Sequence, residues 1–179
     1  MSLTPKSKTI ILVLIIFGAL IITVIRVLSA LQKDNAKQIN SNIISSFSKS
    51  YFNTGNSESK KVLLFVDFTD FGCSSCSEGV AAICRSLNSE LKVKERKNVL
   101  IMIRKRKGTE EYYSWLVKDW RKENDIVFPI MVDKDNFFEQ TGINKTSVAI
   151  IDKDQKVIEY KEFPMQGKEI RRILSKFLN

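Results

Sequence analysis

The stretch from residue 62 to residue 80 constrains the fold of this chain more than any other. An apolar run over residues 62–66 leads into a short polar turn, which is followed by two cysteines three positions apart, Cys73 and Cys76. From there to residue 91, apolar residues recur at helical spacing. The pattern predicts a buried strand, a turn and an amphipathic helix that carries two thiols in its first turn, an arrangement typical of a redox site.

The chain contains no histidine, and this excludes several classes of site. Ser-His-Asp and Cys-His hydrolases and His-ligated zinc or copper sites are ruled out, so a carboxylate, a lysine, a tyrosine or a thiol must carry any proton transfer. The three cysteines allow at most one intramolecular disulfide. A closed zinc site needs four ligands, which favours redox chemistry over metal binding for Cys73 and Cys76. We therefore expect no metal and no cofactor.

The net charge of +9 includes two basic runs, at residues 92–97 and 104–107. Neither run is interleaved with aromatic residues, and no nucleic-acid-binding motif surrounds them. We interpret the runs as solvated surface. The excess positive charge also suits a domain that lies beside anionic lipid headgroups. We therefore expect no nucleic-acid partner.

An apolar segment near the N-terminus indicates export to or across a membrane. Residues 10–25 carry no charge, Lys6 and Lys8 precede them, and Arg26 follows. We expect residues 10–28 to cross the bilayer as an uncleaved anchor, although residues 1–30 also fit a cleaved signal sequence. The two lysines favour a cytoplasmic N-terminus, so the rest of the chain lies outside the cytoplasm under either interpretation.

Residues 31–59 are rich in Ser, Asn, Lys and Gln and are predicted to form a polar linker. Within it, apolar residues at helical spacing predict an amphipathic helix over residues 36–51. This helix packs either on the following domain or at the membrane surface. Residues 53–59 are predicted to form a turn or linker before the domain.

The remaining residues, 60–179, form one predicted domain in which strands and helices alternate. A polar turn at residues 152–155 joins the last two strands into a hairpin. Alternating elements with a terminal hairpin predict an α/β sandwich, in which a mixed central sheet is flanked by helices. The predicted elements are strands at 62–66, 98–103 and 125–132, helices at 76–91, 108–120, 136–142 and 167–178, and the hairpin at 147–160.

Two stretches of the domain resemble a known family. Residues 66–76 resemble the active-site stretch of thioredoxin without a gap, and the hairpin at 148–158 resembles the closing hairpin of that fold. Residues 108–132 look like the insertion found in membrane-anchored TlpA-like thiol-disulfide oxidoreductases. The resemblance covers residues 60–179 and implies a thioredoxin-like three-layer sandwich, here behind an N-terminal transmembrane helix.

With the apolar segment, the resemblance also implies a location. We expect a single-pass protein of the cytoplasmic or inner membrane of a bacterium. Its N-terminus lies inside, and its domain faces the periplasm or the cell exterior.

Each cysteine has a predicted role. Cys73 is predicted to lie at the N-terminal end of the helix, where unpaired backbone N–H groups and the positive end of the helix dipole stabilise a thiolate. We predict it to be the nucleophile, and Cys76, about one turn along and more buried, to be the resolving thiol of a redox-active disulfide. Cys84 lies on the apolar stripe of the same helix, so we expect a buried free thiol; the alternative is a partner in a rearranged disulfide.

Asp67 lies six residues before Cys73, where thioredoxins carry a buried acid. The resemblance implies a general base that takes the proton from the resolving cysteine. Apolar neighbours on both sides indicate a buried strand, and burial raises the pKa of a carboxyl group. The alternative is a carboxylate that only caps the strand or faces solvent.

Two features depart from the family pattern. Thr146 aligns with a cis-proline that faces the two cysteines and shapes the substrate groove. A cis bond before a non-proline residue costs about 2.5 to 4 kcal/mol, so we predict a trans bond and a differently shaped groove. Ser74 and Ser75 replace the usual pair between the cysteines, and without a histidine there we predict a reducing or intermediate potential.

Three functions fit these residues. The first is a membrane-tethered thiol-disulfide oxidoreductase outside the cytoplasm, which reduces or exchanges disulfides in protein clients and takes electrons from a membrane electron donor. The second is a thiol peroxidase, suggested by Thr69 upstream of Cys73. The third is a non-catalytic thioredoxin-fold binding protein with a static disulfide, which Thr146 in place of proline favours.

Overall fold

The structure, a computed structural model, describes residues 39–52 and 59–179. The predicted anchor or signal sequence at 1–30 and the predicted membrane segment at 10–28 lie outside these residues. So do residues 31–38 of the predicted linker, with the start of its predicted helix, and most of the predicted turn at 53–59. Within the two described ranges, no helix has both the length and the apolarity needed to cross a bilayer.

Five strands form one mixed sheet, which confirms the predicted central sheet. They are β1 (Lys61–Val66), β2 (Val99–Ile103), β3 (Ile130–Val132), β4 (Ser147–Ile151) and β5 (Val157–Glu162). Their order across the sheet is β3-β2-β1-β4-β5. β2 is parallel to β1 and β3, whereas β4 is antiparallel to β1 and β5. β1, β2 and β4 are buried along their whole length, as expected for strands with both faces covered.

The predicted helices are present, with bounds shifted by a few residues. They are α1 (Ser41–Phe52), α2 (Ser74–Glu90), α3 (Glu110–Glu123), α4 (Phe137–Thr141) and α5 (Gly167–Leu178), with short 3-10 helices at Phe68–Gly72 and Val93–Asn98. Thr109 caps α3 by accepting a hydrogen bond from the Tyr112 N–H. Gly142 ends α4 in the left-handed conformation.

The strand predicted over residues 125–132 is wrong in its first half, because β3 begins only at Ile130. The Arg121 guanidinium donates to the carbonyl oxygens of Ile126 and Phe128 at 3.1 and 2.6 Å. These hydrogen bonds hold the connection against the end of α3, so it does not extend along the sheet.

Alternate residues of β1 face two hydrophobic clusters on opposite sides of the sheet. Leu64 packs among α2, α3 and α5, in a cluster that also contains Cys76 and Cys84. Phe65 points the other way, into a cluster that includes Ile44 of α1 and residues of α4. A helix layer therefore lies on each face, which confirms the three-layer arrangement.

Helix α1 packs on this second face of the sheet. Ile44 is fully buried, and the Phe47 ring lies 4.8 Å from that of Phe137. Ser48 donates a side-chain hydrogen bond to Gln155 at 2.9 Å. Residues 39–52, which the sequence analysis placed in the linker, thus belong to the compact unit Ile39–Asn179. Of the two predicted settings for this helix, the structure shows packing on the domain.

Candidate active site

The turn between β1 and α2 brings the predicted site residues together. The Asp70 carbonyl accepts the Cys73 N–H at 3.0 Å, and the Cys73 carbonyl accepts the Cys76 N–H at 3.0 Å. Phe68 and Phe71 pack their rings against Trp120 of α3, with centroids 5.5 and 5.8 Å away. The aromatic contacts hold the turn on its inner side, and Cys73 remains on the outer side.

Cys73 is the N-cap residue of α2, and its thiol is exposed and free in this structure. Its Sγ lies 2.9 Å from the Ser75 hydroxyl. Hydrogen bonds from the Ser75 hydroxyl, from the Cys76 backbone and from the Cys76 thiol lower the pKa of Cys73 below its ordinary value. This is the setting of an activated thiol, and the nucleophilic role remains a prediction.

Cys76 and Cys84 occupy the opposite setting, in the hydrophobic cluster beneath α2. Cys76 is 5% exposed, and burial, the hydrogen bond with Cys73 and the charges of Cys73 and Asp70 raise its pKa to about 11. Cys84 is 2% exposed, and burial raises its pKa to about 12. The predicted burial of Cys84 is confirmed, and its thiol is free in this structure.

Asp67 is 1% exposed at the end of β1 and is held by two arginines. Both of its carboxylate oxygens accept hydrogen bonds from the Arg106 Nε at 3.1 Å, and Arg104 Nη1 lies 3.5 Å away. The Thr69 hydroxyl and N–H add bonds at 2.7 and 3.0 Å. Burial alone raises the pKa of Asp67, but the hydrogen bonds from Arg106 and Thr69 outweigh burial and lower this pKa.

The prediction of a raised Asp67 pKa is therefore wrong. Desolvation was the effect expected from the sequence, whereas the structure adds two guanidinium groups that stabilise the charged form. A carboxylate with a lowered pKa is a weak proton acceptor near neutrality, which weighs against the general-base role predicted for Asp67.

Thr146 is fully buried directly before β4, so its side chain lines no open groove. Its N–H donates to the Asp70 Oδ2 at 2.6 Å, and its carbonyl accepts the Phe163 N–H at 2.9 Å. Its hydroxyl accepts the Asp67 N–H at 3.0 Å and lies 3.3 Å from the Asp67 carbonyl. The peptide bond before Thr146 is trans, as predicted. The predicted groove residue is thus hydrogen-bonded to the cysteine turn and to the residues that directly follow β1 and β5.

The similarity of this protein to known proteins lies in its structure. No protein-family model and no curated protein matches the sequence. Among solved structures, a thioredoxin-like protein in the oxidised form is 19% identical, with 66% of this chain and 80% of that chain covered and a TM-score of 0.50. A thiol:disulfide interchange protein from Chlorobium tepidum TLS is 13% identical, with 69% and 82% covered and a TM-score of 0.50.

The fold is thioredoxin-like. A thioredoxin-like superfamily protein gives the same result, at 14% identity, 69% and 82% coverage and a TM-score of 0.50. At these identities the likeness concerns the fold. It confirms the architecture that the resemblance of the cysteine stretch and the closing hairpin implied.

In this thioredoxin-like fold, two arginines of the site, Arg104 and Arg106, were not predicted from the sequence. The run at residues 104–107 was interpreted as solvated surface, but Arg104 is 11% exposed and also pairs with Glu139. The position of this basic run directly after a predicted strand was a signal that could have placed the arginines near Asp67. Parallel strands end at the same edge of a sheet, and Val66 pairs with Ile103, so the residues that follow them emerge side by side.

The structure also bears on the predicted alternative of a thiol peroxidase. The Thr69 hydroxyl, which suggested a thiol peroxidase, donates to Asp67 and is thus engaged away from the thiol pair. Among residues 39–52 and 59–179, no group of three or more acidic or cysteine side chains is placed to hold a metal ion.

Proposed function

We propose that this protein is a membrane-tethered, extracytoplasmic thiol-disulfide oxidoreductase that reduces or exchanges disulfides in protein clients. The observation that carries the proposal is the inequality of two neighbouring thiols. Cys73 is exposed and has a lowered pKa, and Cys76 is buried with a pKa of about 11. Cys73 can thus attack as a thiolate, and Cys76 stays protonated until the resolving step.

The proposed reaction begins at Cys73. Its thiolate attacks one sulfur of a client disulfide, the client S–S bond breaks, and the other client sulfur leaves as a thiolate. Cys76 then loses its proton and attacks the Cys73 Sγ. The Cys73–Cys76 disulfide forms, the second client sulfur leaves and takes up a proton, and two electrons have passed to the client.

The contacts of Cys76 explain why the second step follows the first. In the free dithiol, burial raises the pKa of Cys76 most, and the hydrogen bond to Cys73 and the negative charge of Cys73 raise it further. The mixed disulfide removes that charge and that thiolate acceptor. Cys76 therefore ionises more easily once Cys73 is bound to a client, which favours resolution over premature ionisation of both thiols.

The cycle needs a source of electrons, because each turn leaves Cys73 and Cys76 oxidised. For a domain outside the cytoplasm, a membrane electron donor is the partner that we propose, with residues 10–28 as the tether. A reducing or intermediate potential remains the prediction. A midpoint potential above about −150 mV, near the strongly oxidising end of the known range, would contradict it.

Disulfide reduction tests the proposal directly. We expect the full-length protein in detergent to accelerate the reduction of insulin by dithiothreitol, and Cys73→Ser to lose this activity. Cys76→Ser is expected to accumulate mixed disulfides with clients on Cys73. Cys84→Ala, which removes a buried thiol outside the pair, is the matched control and keeps the activity. An active Cys73→Ser variant, or a Cys76→Ser variant that captures no client, would count against the proposal.

The location is tested separately. Because Cys73 is exposed, a membrane-impermeant maleimide should label it in intact spheroplasts when the domain lies outside the cytoplasm. A permeant maleimide gives the total amount of reactive thiol. Labelling by the impermeant reagent only after lysis would place the domain in the cytoplasm and reject the extracytoplasmic part of the proposal.

A further inference from the structure

Asp70 joins the cysteine turn to the loop before β4. Its Oδ2 accepts the Thr146 N–H at 2.6 Å, and its own carbonyl accepts the Cys73 N–H at 3.0 Å. Thr146 is fully buried, and its hydroxyl and carbonyl are already bonded to Asp67 and Phe163. The Asp70 carboxylate is therefore fixed from the side of β4, and its main chain fixes Cys73.

The residue type at position 146 makes this contact available. A proline has no N–H and could not donate to a carboxylate there. Thr146 supplies the donor, and Asp70 supplies the acceptor in the turn three residues before Cys73. Thr146 thus provides, in place of proline, a backbone N–H that binds the facing carboxylate of Asp70.

The charge of Asp70 acts on Cys76. Burial is the main cause of the raised pKa of Cys76, and the Asp70 charge adds to it. The hydrogen bond to Asp67 is the main cause of the raised pKa of Arg106, in the loop after β2, and Asp70 adds to that shift as well. Lys145, from the loop before β4, acts on Cys76 in the opposite direction. Arg106 is already bound to Asp67, so it does not neutralise Asp70 in full.

We propose that Asp70 is a positioning residue for the thiol exchange proposed above, on which this inference rests. Its carboxylate ties the loop before β4 to the cysteine turn through the Thr146 N–H. From that fixed place, its negative charge opposes ionisation of Cys76 both before and after Cys73 has formed a mixed disulfide. Asp70 therefore slows the resolving step and lengthens the lifetime of the mixed disulfide.

Asp70→Asn separates charge from hydrogen bonding, because the amide oxygen still accepts the Thr146 N–H. We expect the titration midpoint of Cys76 to fall by about half to one pH unit in this variant. The test follows the ¹³Cβ shifts of the three cysteines of the full-length protein against pH. Cys84 is the internal reference and should titrate as in the wild type. Asp119→Asn, an exposed substitution on α3, is the control for a simple change of net charge.

The resolving step gives a second reading. Ellman's reagent reacts first with Cys73, and the second release of thionitrobenzoate reports the attack by Cys76. At pH 8 we expect this second phase to be about two- to threefold faster in Asp70→Asn, since a larger thiolate fraction outweighs the lower nucleophilicity of a less basic thiol.

Asp70→Ala removes both charge and acceptor. It leaves the buried Thr146 N–H unbonded, so it should unfold at a lower urea concentration than Asp70→Asn. Equal unfolding midpoints would reject the tie, and an unchanged Cys76 midpoint in Asp70→Asn would reject the electrostatic role even if the wild type reduces insulin. A lowered Cys76 midpoint in a protein that reduces no disulfide would reject the proposed function alone.

Discussion

Cys73 and Cys84 lie on the same helix, about three turns apart, and have opposite properties. Cys73 is exposed at the first turn of α2, where hydrogen bonds lower its pKa. Cys84 lies in the apolar middle of α2, where burial raises its pKa to about 12. The comparison teaches that the reactivity of a thiol in this chain follows from its place along α2, through access to hydrogen-bond donors and to water.

The largest effect expected from this difference is selective alkylation. At pH 7, a thiol with a pKa of about 11 is ionised in roughly one molecule in ten thousand, and Cys84 less often. We expect iodoacetamide to modify Cys73 at least about a thousandfold faster than Cys84, as measured by mass spectrometry of peptides from the reduced protein. In urea the three thiols should react alike. A Cys84 that reacts as fast as Cys73 in the folded protein would remove the basis of the comparison.

The ion pairs of Asp67, close to the first turn of α2, should also stabilise the fold. Asp67→Asn removes the charge that two arginines share, and Arg104 is left 11% exposed without its buried anion. We expect a loss of about 2 to 3 kcal/mol in urea unfolding at pH 7, below the full cost of breaking a buried pair because the half-exposed Arg106 can turn to water. Glu110→Gln breaks an exposed pair with Lys134 and should change the unfolding midpoint very little.

The Asp67 carboxylate also makes the stability of the fold depend on pH, in a direction that its lowered pKa determines. The folded-state pKa of Asp67 lies below its ordinary value, so the unfolded state binds the proton more readily. The stability from Asp67 is present above about pH 4 and is lost as pH falls through the folded pKa. The wild type should therefore lose more stability than Asp67→Asn on acidification, and equal losses would show that Asp67 is not held as a charged group.

The sequence predicted most of the fold because apolar periodicity records which side of each element is buried. Cys73 and Cys76 were placed correctly for the same reason, since the stripe that continues through Cys84 fixes the start of α2. The pattern of α1 showed an apolar side, but it could not tell whether a sheet or a membrane covers that side.

The charges of the site were harder to predict than its thiols. The composition of a basic run does not tell whether it is solvated or folded back on a carboxylate, and only its position after a strand parallel to β1 gives a signal. Arg104 and Arg106 meet Asp67 only because β1 and β2 pair in parallel and end together. Likewise, Thr146 could be identified as a departure from proline, but its bond to Asp70 exists only in the folded chain.

Cys84, in the middle of α2, should make the folded protein less stable at alkaline pH. The folded-state pKa of Cys84 is raised to about 12 from an ordinary value near 9, so the unfolded thiol ionises first as pH rises. Between pH 9 and 11, the wild type should lose roughly 1 kcal/mol per pH unit more than Cys84→Ala, measured as the difference between their unfolding free energies. A constant difference would mean that the folded protein lets Cys84 ionise freely.

The smallest effect that we predict tests the first turn itself. Ser75→Ala removes the hydroxyl 2.9 Å from the Cys73 Sγ, so the pKa of Cys73 should rise towards its ordinary value. An exposed hydrogen bond to a thiolate contributes little net free energy, so we expect alkylation of Cys73 at pH 7 to slow only about twofold. Ser77→Ala is the matched control, because it deletes a hydroxyl in the same turn that donates to the Ser74 carbonyl instead. If both variants shift the pH profile of alkylation equally, the Ser75 hydroxyl does not activate Cys73, and its reactivity comes from the backbone N–H groups at the start of α2 and from the Cys76 thiol.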